Sequence, residues 1–154
     1  MDSDLILTVG AILLFSILAL ATYSNIRLSS ETTTQAEYLS TAVDLSENLI
    51  MEVRSKSFDE KTINATPDIS GLSSKLGTDN ETYPNFDDID DYNGYTATVK
   101  TKYSYSFTSK VKVQYVNPDN FSSSSTQTSM KKITISTYSP LLVDTVKLNY
   151  YSSY

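Results

Sequence analysis

Histidine, cysteine and tryptophan do not occur in this chain of 154 residues. Their absence excludes zinc, haem and iron–sulfur sites of the usual ligand types, thiol chemistry, and any histidine-based triad or general base. No disulfide can form, so cysteine usage gives no clue to the redox compartment. Positive charge is also scarce. Lys and Arg number 12 against 18 Asp and Glu, a formal net charge of −6, and nucleic acid is not an expected partner of such a surface. Carboxylates are plentiful, but none stands in a recognisable setting with a nucleophile or a phosphate loop, so no enzyme is expected. Proline and glycine are few, four of each, and no proline precedes Pro67.

What the chain does hold is one long apolar run. Residues 5–22, LILTVGAILLFSILALAT, are 18 in number and carry no charge, which is just long enough to cross a bilayer as a helix. Ser3 is a candidate N-cap, and Asp2 and Asp4 are anionic groups at the positive end of that helix. Gly10 permits close approach of a neighbouring helix, and Tyr23 sits at the edge of the run, where an amphipathic ring belongs. A cleaved secretory signal fits poorly: the leading residues are acidic rather than basic, and the run exceeds a typical h-region. Arg27 after the helix would by the positive-inside rule keep the C-terminal side in the cytoplasm, whereas the Ser-, Thr-, Asn- and Tyr-rich remainder suits an exported domain. A basic leader removed ahead of Met1 would reconcile the two.

The rest divides by pattern. Residues 24–34, SNIRLSSETTT, have mediocre helix propensity and suit a hinge, a locally melted segment or a weak helix. From 35 to 54 a helical period returns, with Ala36, Leu39, Val43, Ser46, Ile50 and Val53 on one face, joined by Ala42 and Leu49. Residues 57–93 are rich in Gly, Pro, Asp, Asn, Ser and Thr and are expected to be a long ordered loop with a short helix near 69–76. Asn93-Gly94 is a turn signal. Beyond it, Tyr95, Ala97, Val99, Thr101, Tyr103, Tyr105 and Phe107 alternate with Thr96, Thr98, Lys100 and Lys102 as one strand, and Val111, Val113 and Tyr115 alternate with Lys110, Lys112 and Gln114 as a second, with Ser109 in the turn between. Ile133 and Ile135 mark a third strand and Val146, Leu148 and Tyr150 a fourth, with a polar loop over 117–129. The expected fold class is α+β: a long N-terminal helix, apolar in its first half and amphipathic in its second, packed on a C-terminal antiparallel sheet of about four strands. The expected division is 1–56 for the helix and 57–154 for a globular head, with the loop region at 57–93 and the sheet at 94–154.

Three groups of residues invite a chemical reading. Asp87, Asp88, Asp90 and Asp91 are crowded enough to bind calcium, a hard cation that prefers oxygen ligands, although EF-hand spacing is missing; otherwise they form a solvated acidic loop, and no other cofactor is expected. Asn64, Asn80 and Asn120 each open an N-x-[ST] sequon in a loop and are candidate glycosylation sites. Tyr103, Tyr105, Tyr115, Tyr138, Tyr150, Tyr151 and Tyr154 suit an adhesive or intersubunit surface, or simply strands, where tyrosine is favoured.

In sum, an apolar N-terminal helix, an amphipathic continuation, a loop and an antiparallel sheet resemble the type IV pilin family, including pilin-like and pseudopilin-like subunits. AEYLSTAVDLSENLIMEVRSKSFDE is similar to the second half of the pilin N-terminal helix, and FDDIDDYNGY to a segment preceding the sheet in some bacterial pilin-like proteins. The chain departs from the family at Leu5, where a glutamate is common, and at Thr22, where a proline is common. The resemblance implies a structural subunit of an extracellular filament, held in the cytoplasmic membrane before assembly and delivered by a pilus assembly machinery into a helical homopolymer. It implies a filament core of Leu5, Ile6, Val9, Ile12, Leu13, Phe15, Ile17 and Leu20, and a role for Asp2 or Asp4 in neutralising the N-terminal amine of an adjacent subunit. The competing reading is a single-pass membrane-anchored binding domain that does not polymerise.

Overall fold

Helix α1, Asp2–Arg54, occupies the first third of the chain. The structure, a computed structural model, describes residues 2–101 and 105–154, apart from the side chain of Asp2. Because α1 already includes Asp2, Ser3 lies inside the first turn and is not the cap expected of it. The Ser- and Thr-rich segment 24–34 is helical throughout. Its hydroxyls bond back along the helix, Thr32, Thr33 and Thr34 donating to the carbonyls of Leu28, Ser29 and Ser30 at 2.8–3.0 Å, which satisfies them without breaking the backbone ladder. Arg27 and Glu31 form an exposed i,i+4 pair at 2.9 Å, worth a few tenths of a kcal/mol at most (~0.3–0.5).

The chain forms two compact units, Met1–Tyr38 and Leu39–Tyr154. The second half of α1 therefore belongs with the sheet. An antiparallel sheet of β1 (Thr96–Lys100), β2 (Ser106–Tyr115), β3 (Met130–Tyr138) and β4 (Val146–Ser153) runs in the order β1-β2-β3-β4, a meander. Its register places Val99 opposite Phe107, Val111 opposite Ile135, Val113 opposite Ile133 and Ile133 opposite Tyr150. Leu49 and Val53 of α1 pack on Val111, Val113, Ile133 and Ile135, with Phe86, Ile89 and Tyr92 from the intervening loop completing the core. The fold is the α+β arrangement that the alternation and the helical period predict.

Three local expectations change. The buried stripe of α1 is Ala42, Ser46, Leu49 and Val53, while Leu39 is exposed and Val43 and Ile50 are half-buried; the small polar Ser46 meets Thr137 of β3 at 2.7 Å and so lies against the sheet. The first strand is shorter than its pattern. β1 ends at Lys100 and β2 begins at Ser106, so Ser109 sits inside β2, buried, rather than in a turn; the alternation alone gives no break, since Ala97, Val99, Phe107 and Ser109 share one parity and face. Lys102 and Tyr103 lie outside the described residues. Finally, the loop 57–93 holds one-turn 3₁₀ segments at Glu60–Thr62, Ile69–Gly71 and Asp90–Tyr92 rather than a helix over 69–76. The Asn93-Gly94 turn is present, with Gly94 at φ +88°, a conformation that a side chain would strain.

Candidate functional site

Within the unit Met1–Tyr38, residues 5–22 present an apolar surface on every side. Leu5, Ile6, Val9, Ile12, Leu13, Phe15, Ile17 and Leu20 are exposed, from 48% at Val9 to 74% at Phe15. The helix is long and apolar enough to cross a membrane near its N-terminus. A helix that is apolar all round is stable only inside lipid or among other helices. Gly10 leaves open space where a Cβ would stand, so another backbone can approach there. Asp4 is exposed in the first turn, where the helix dipole favours an anion. Asp2 begins the helix, and its side chain falls outside the described residues.

The structure separates the four aspartates of the FDDIDDYNGY segment into two settings. Asp87 and Asp91 face Glu81, and their carboxylate oxygens lie within 4.8 Å of one another. Burial and then the charges of Asp87 and Asp91 push the Glu81 carboxyl up. Three such oxygens supply part of the six to eight that a calcium ion takes, so Glu81, Asp87 and Asp91 are the residues that could hold one. Asp91 is also structural, since its Oδ2 accepts from the backbone N–H groups of Asp87 and Asp88 at 3.1 and 3.3 Å.

Asp88 and Asp90 instead turn inward. Asp88 Oδ1 accepts from the N–H groups of Asp90 and Asp91 at 2.6 and 3.1 Å, which shapes the 3₁₀ turn. Asp90 meets Lys131, a residue of β3 whose position puts it on the same face as Ile133 and Ile135. Lys131, Asp59 and Asp90 are all fully buried. Lys131 Nζ lies 2.9 Å from Asp59 Oδ2, 2.6 Å from Asp90 Oδ1, and donates to the Phe58 carbonyl at 2.7 Å. The rings of Phe58 and Tyr115 flank it, with centroids 4.4 and 5.0 Å from Nζ. Tyr154 stacks on Phe58 with centroids 5.5 Å apart.

The two carboxyls sharing Lys131 differ in their hydrogen bonds. Asp59 accepts from Ser73 N and Oγ, Lys61 N and Lys131 Nζ, and the Tyr115 hydroxyl lies 3.0 Å from its Oδ2. Burial alone would raise its pKa, but Lys131 and these donors outweigh it and hold the Asp59 carboxyl down at about 2. Asp90 has the 2.6 Å contact of its Oδ1 with Lys131 Nζ, and among the described residues its Oδ2 has no hydrogen-bond partner. Burial pushes its carboxyl up to about 8, with Lys131 offsetting part of the effect and Asp88 and Asp59 adding to it. Burial likewise raises Asp88 to about 7, against the backbone donors to its Oδ1; its Oδ2 has no partner. The sequence reading names Asp88 and Asp90 but misses Lys131 and Asp59. Parity along β3 was the available signal for Lys131.

Asn64, Asn80 and Asn120 are all exposed and outside helix and strand, as glycan acceptors must be. Of the tyrosines, Tyr115 is buried in a small cluster with Phe58 and Leu72, Tyr150 packs against the main core, and Tyr105, Tyr138, Tyr151 and Tyr154 are exposed. Tyr103 lies outside the described residues. No protein-family model, no curated protein and no solved structure matches this chain.

Proposed function

We propose that this chain is a structural subunit of an extracellular filament of the type IV pilus kind, assembled through its apolar N-terminal helix. The observation that carries the reading is the all-round exposure of the apolar side chains between Leu5 and Leu20, on a chain whose remaining unit has a complete core of its own. Such a helix rests in the bilayer before assembly and then packs against the same helix of other subunits. Lipid is as apolar as leucine, so the exchange gains nothing from the hydrophobic effect and depends on close packing; Gly10 supplies a point for it. A head-to-tail contact of this kind does not close and so propagates as a helical fibre. Asp4, or Asp2, neutralises the N-terminal amine of a neighbouring subunit, whose charge would be costly to bury unpaired.

The test is electron microscopy of material sheared from the cell surface, with the chain identified in it by mass spectrometry. Uniform thin filaments built mainly of this chain are expected. Recovery of the chain only from the membrane fraction, with no filament containing it, would overturn the reading in favour of a tethered domain, for which the Glu81, Asp87 and Asp91 cluster would be the place to seek a ligand.

A further inference from the structure

The four strands hold six lysines and not one aspartate or glutamate. Lys131 is buried on the inward face. By register and parity the other five, Lys100, Lys110, Lys112, Lys132 and Lys147, stand on the outward face of the sheet. Lys110 and Lys147 both lie opposite Ser136, which sets them two strand spacings apart, about 9–10 Å. Lys112 lies opposite Thr134, and Thr134 opposite Asn149. The floor between the lysines is therefore short and polar. Tyrosines stand at its two ends, with Lys110 Nζ 5.6 Å from the ring centroid of Tyr138 and Lys132 Nζ 5.7 Å from that of Tyr151. Among the described residues none of the five lysines makes an ion pair. Like charges side by side on one sheet face repel, so this basic island lacks a partner in a chain of net charge −6.

The other side of the same unit carries the reverse charge. The loop 57–93 holds nine Asp and Glu against two Lys. It packs on the inward face, where Phe86, Ile89 and Tyr92 meet Val111, Val113, Ile133 and Ile135. Glu60, Asp68, Asp79 and Asp87 are exposed on it. Burial, and after it the charges of Asp87, Asp79 and Asp91, push the Glu60 carboxyl up, so these acids share one electrostatic patch, which Glu81 joins through Asp87 and Asp91. Glu60, Asp79 and Asp87 make no ion pair among the described residues. The sheet lies between the two patches, so they do not meet within one copy.

We infer that the outward face of the sheet docks a second copy of this chain by receiving the acidic patch of its loop 57–93. Lys110, Lys112 and Lys147 take the exposed carboxylates of Glu60, Asp79 and Asp87 of the neighbouring copy. An unrelated polyanion would satisfy the lysines alone, whereas a second copy satisfies both patches. A two-fold pairing of sheet faces would set lysine on lysine, which charge repulsion forbids. Each copy offers one patch of each sign on opposite sides, so the contact is head-to-tail and propagates rather than closing. The contact goes beyond the filament reading and does not require it. Its partners all lie in the unit Leu39–Tyr154, and a subunit that stays in the membrane would make it too.

Carbodiimide cross-linking of the full chain in detergent tests it, because this reagent joins a lysine amine to a carboxylate only where the two touch. An equal mixture of unlabelled and nitrogen-15-labelled chain should give mixed-isotope links from Lys110, Lys112 or Lys147 to Glu60, Asp79 or Asp87. Their yield should collapse in about 1 M salt, where the screening length falls to about 3 Å. Reversing one patch, by Lys110→Glu with Lys112→Glu or by Glu60→Lys with Asp79→Lys, should weaken self-association in sedimentation by about tenfold or more. Mixing the two variants should restore it, since each then presents the charge that the other lacks. Absence of mixed-isotope links between the patches in the wild-type chain at low salt would overturn the inference, as would a mixture no more associated than its components. Links found where no filament forms would count against the filament reading alone, and filaments without these links against this contact alone.

Discussion

Buried polar residues carry most of what is particular to this protein. Asp88 is buried with one oxygen unpartnered, and burial raises its carboxyl from 3.8 to about 7. The folded state therefore binds a proton that the unfolded state releases, so the stabilisation is complete below about 3.8 and is lost as pH rises through about 7. Asp90, Asp91 and Lys131 face the same group and set the position of that window. Asp88→Asn keeps an acceptor for the two backbone N–H groups and mimics the protonated acid. It is expected to raise the melting temperature at pH 8 and leave it little changed at pH 4, read from thermal unfolding across a pH series. A second case is the hydroxyl chain between α1 and the sheet. Ser46 donates to the Ala42 carbonyl at 2.7 Å, so its oxygen must accept from Thr137, which in turn accepts from Ser109, each contact at 2.7 Å. Thr137→Val leaves two buried hydroxyls short of a partner and should cost about 1–3 kcal/mol in urea unfolding. None of this was legible in the sequence. Ser46 was on the right helical face by period, but Thr137 and Lys131 are polar residues at inward positions of β3, and Ser109 and Asp59 stand where a turn and a polar loop were expected, so only their mutual contacts reveal their burial and make it tolerable.

At the scale of elements, pattern was more informative. The helical period of 35–54 and the alternation around Ile133, Ile135 and Leu148 rest on backbone geometry alone and came through as α1, β3 and β4. The end of β1 did not, because a hairpin that preserves parity leaves no trace in an alternating run. The state of 24–34 was undecidable from propensity, as the back-bonds of Thr32, Thr33 and Thr34 neither forbid nor require a helix. Replacing these three threonines by alanine gains up to about 0.7 kcal/mol each in propensity. Amide exchange over 24–34 should then slow by about tenfold in hydrogen-exchange measurements on the detergent-solubilised chain, since the segment opens locally rather than with the core.

For the whole molecule, the question is what becomes of the apolar helix surface. In the filament reading Asp4→Ala leaves an amine unneutralised among packed helices and should reduce filament yield strongly, measured as sheared filament mass per cell, while the level of subunit in the membrane stays the same; an unchanged yield would mean that Asp4 has no part in assembly. The length of the apolar run, the helix it makes, the α+β class and the acidic surface were determined by the sequence itself, because periodicity and composition act locally and need no partner. The division of the four aspartates, two with Glu81 and two toward Lys131, was decided only by tertiary structure. So was the meeting of Lys131 with Asp59 and Asp90. Residues 72 and 41 positions apart come within 2.9 and 2.6 Å of one another only when the loop closes over the sheet, and whether a charge is buried or paired depends on what lies beside it in space.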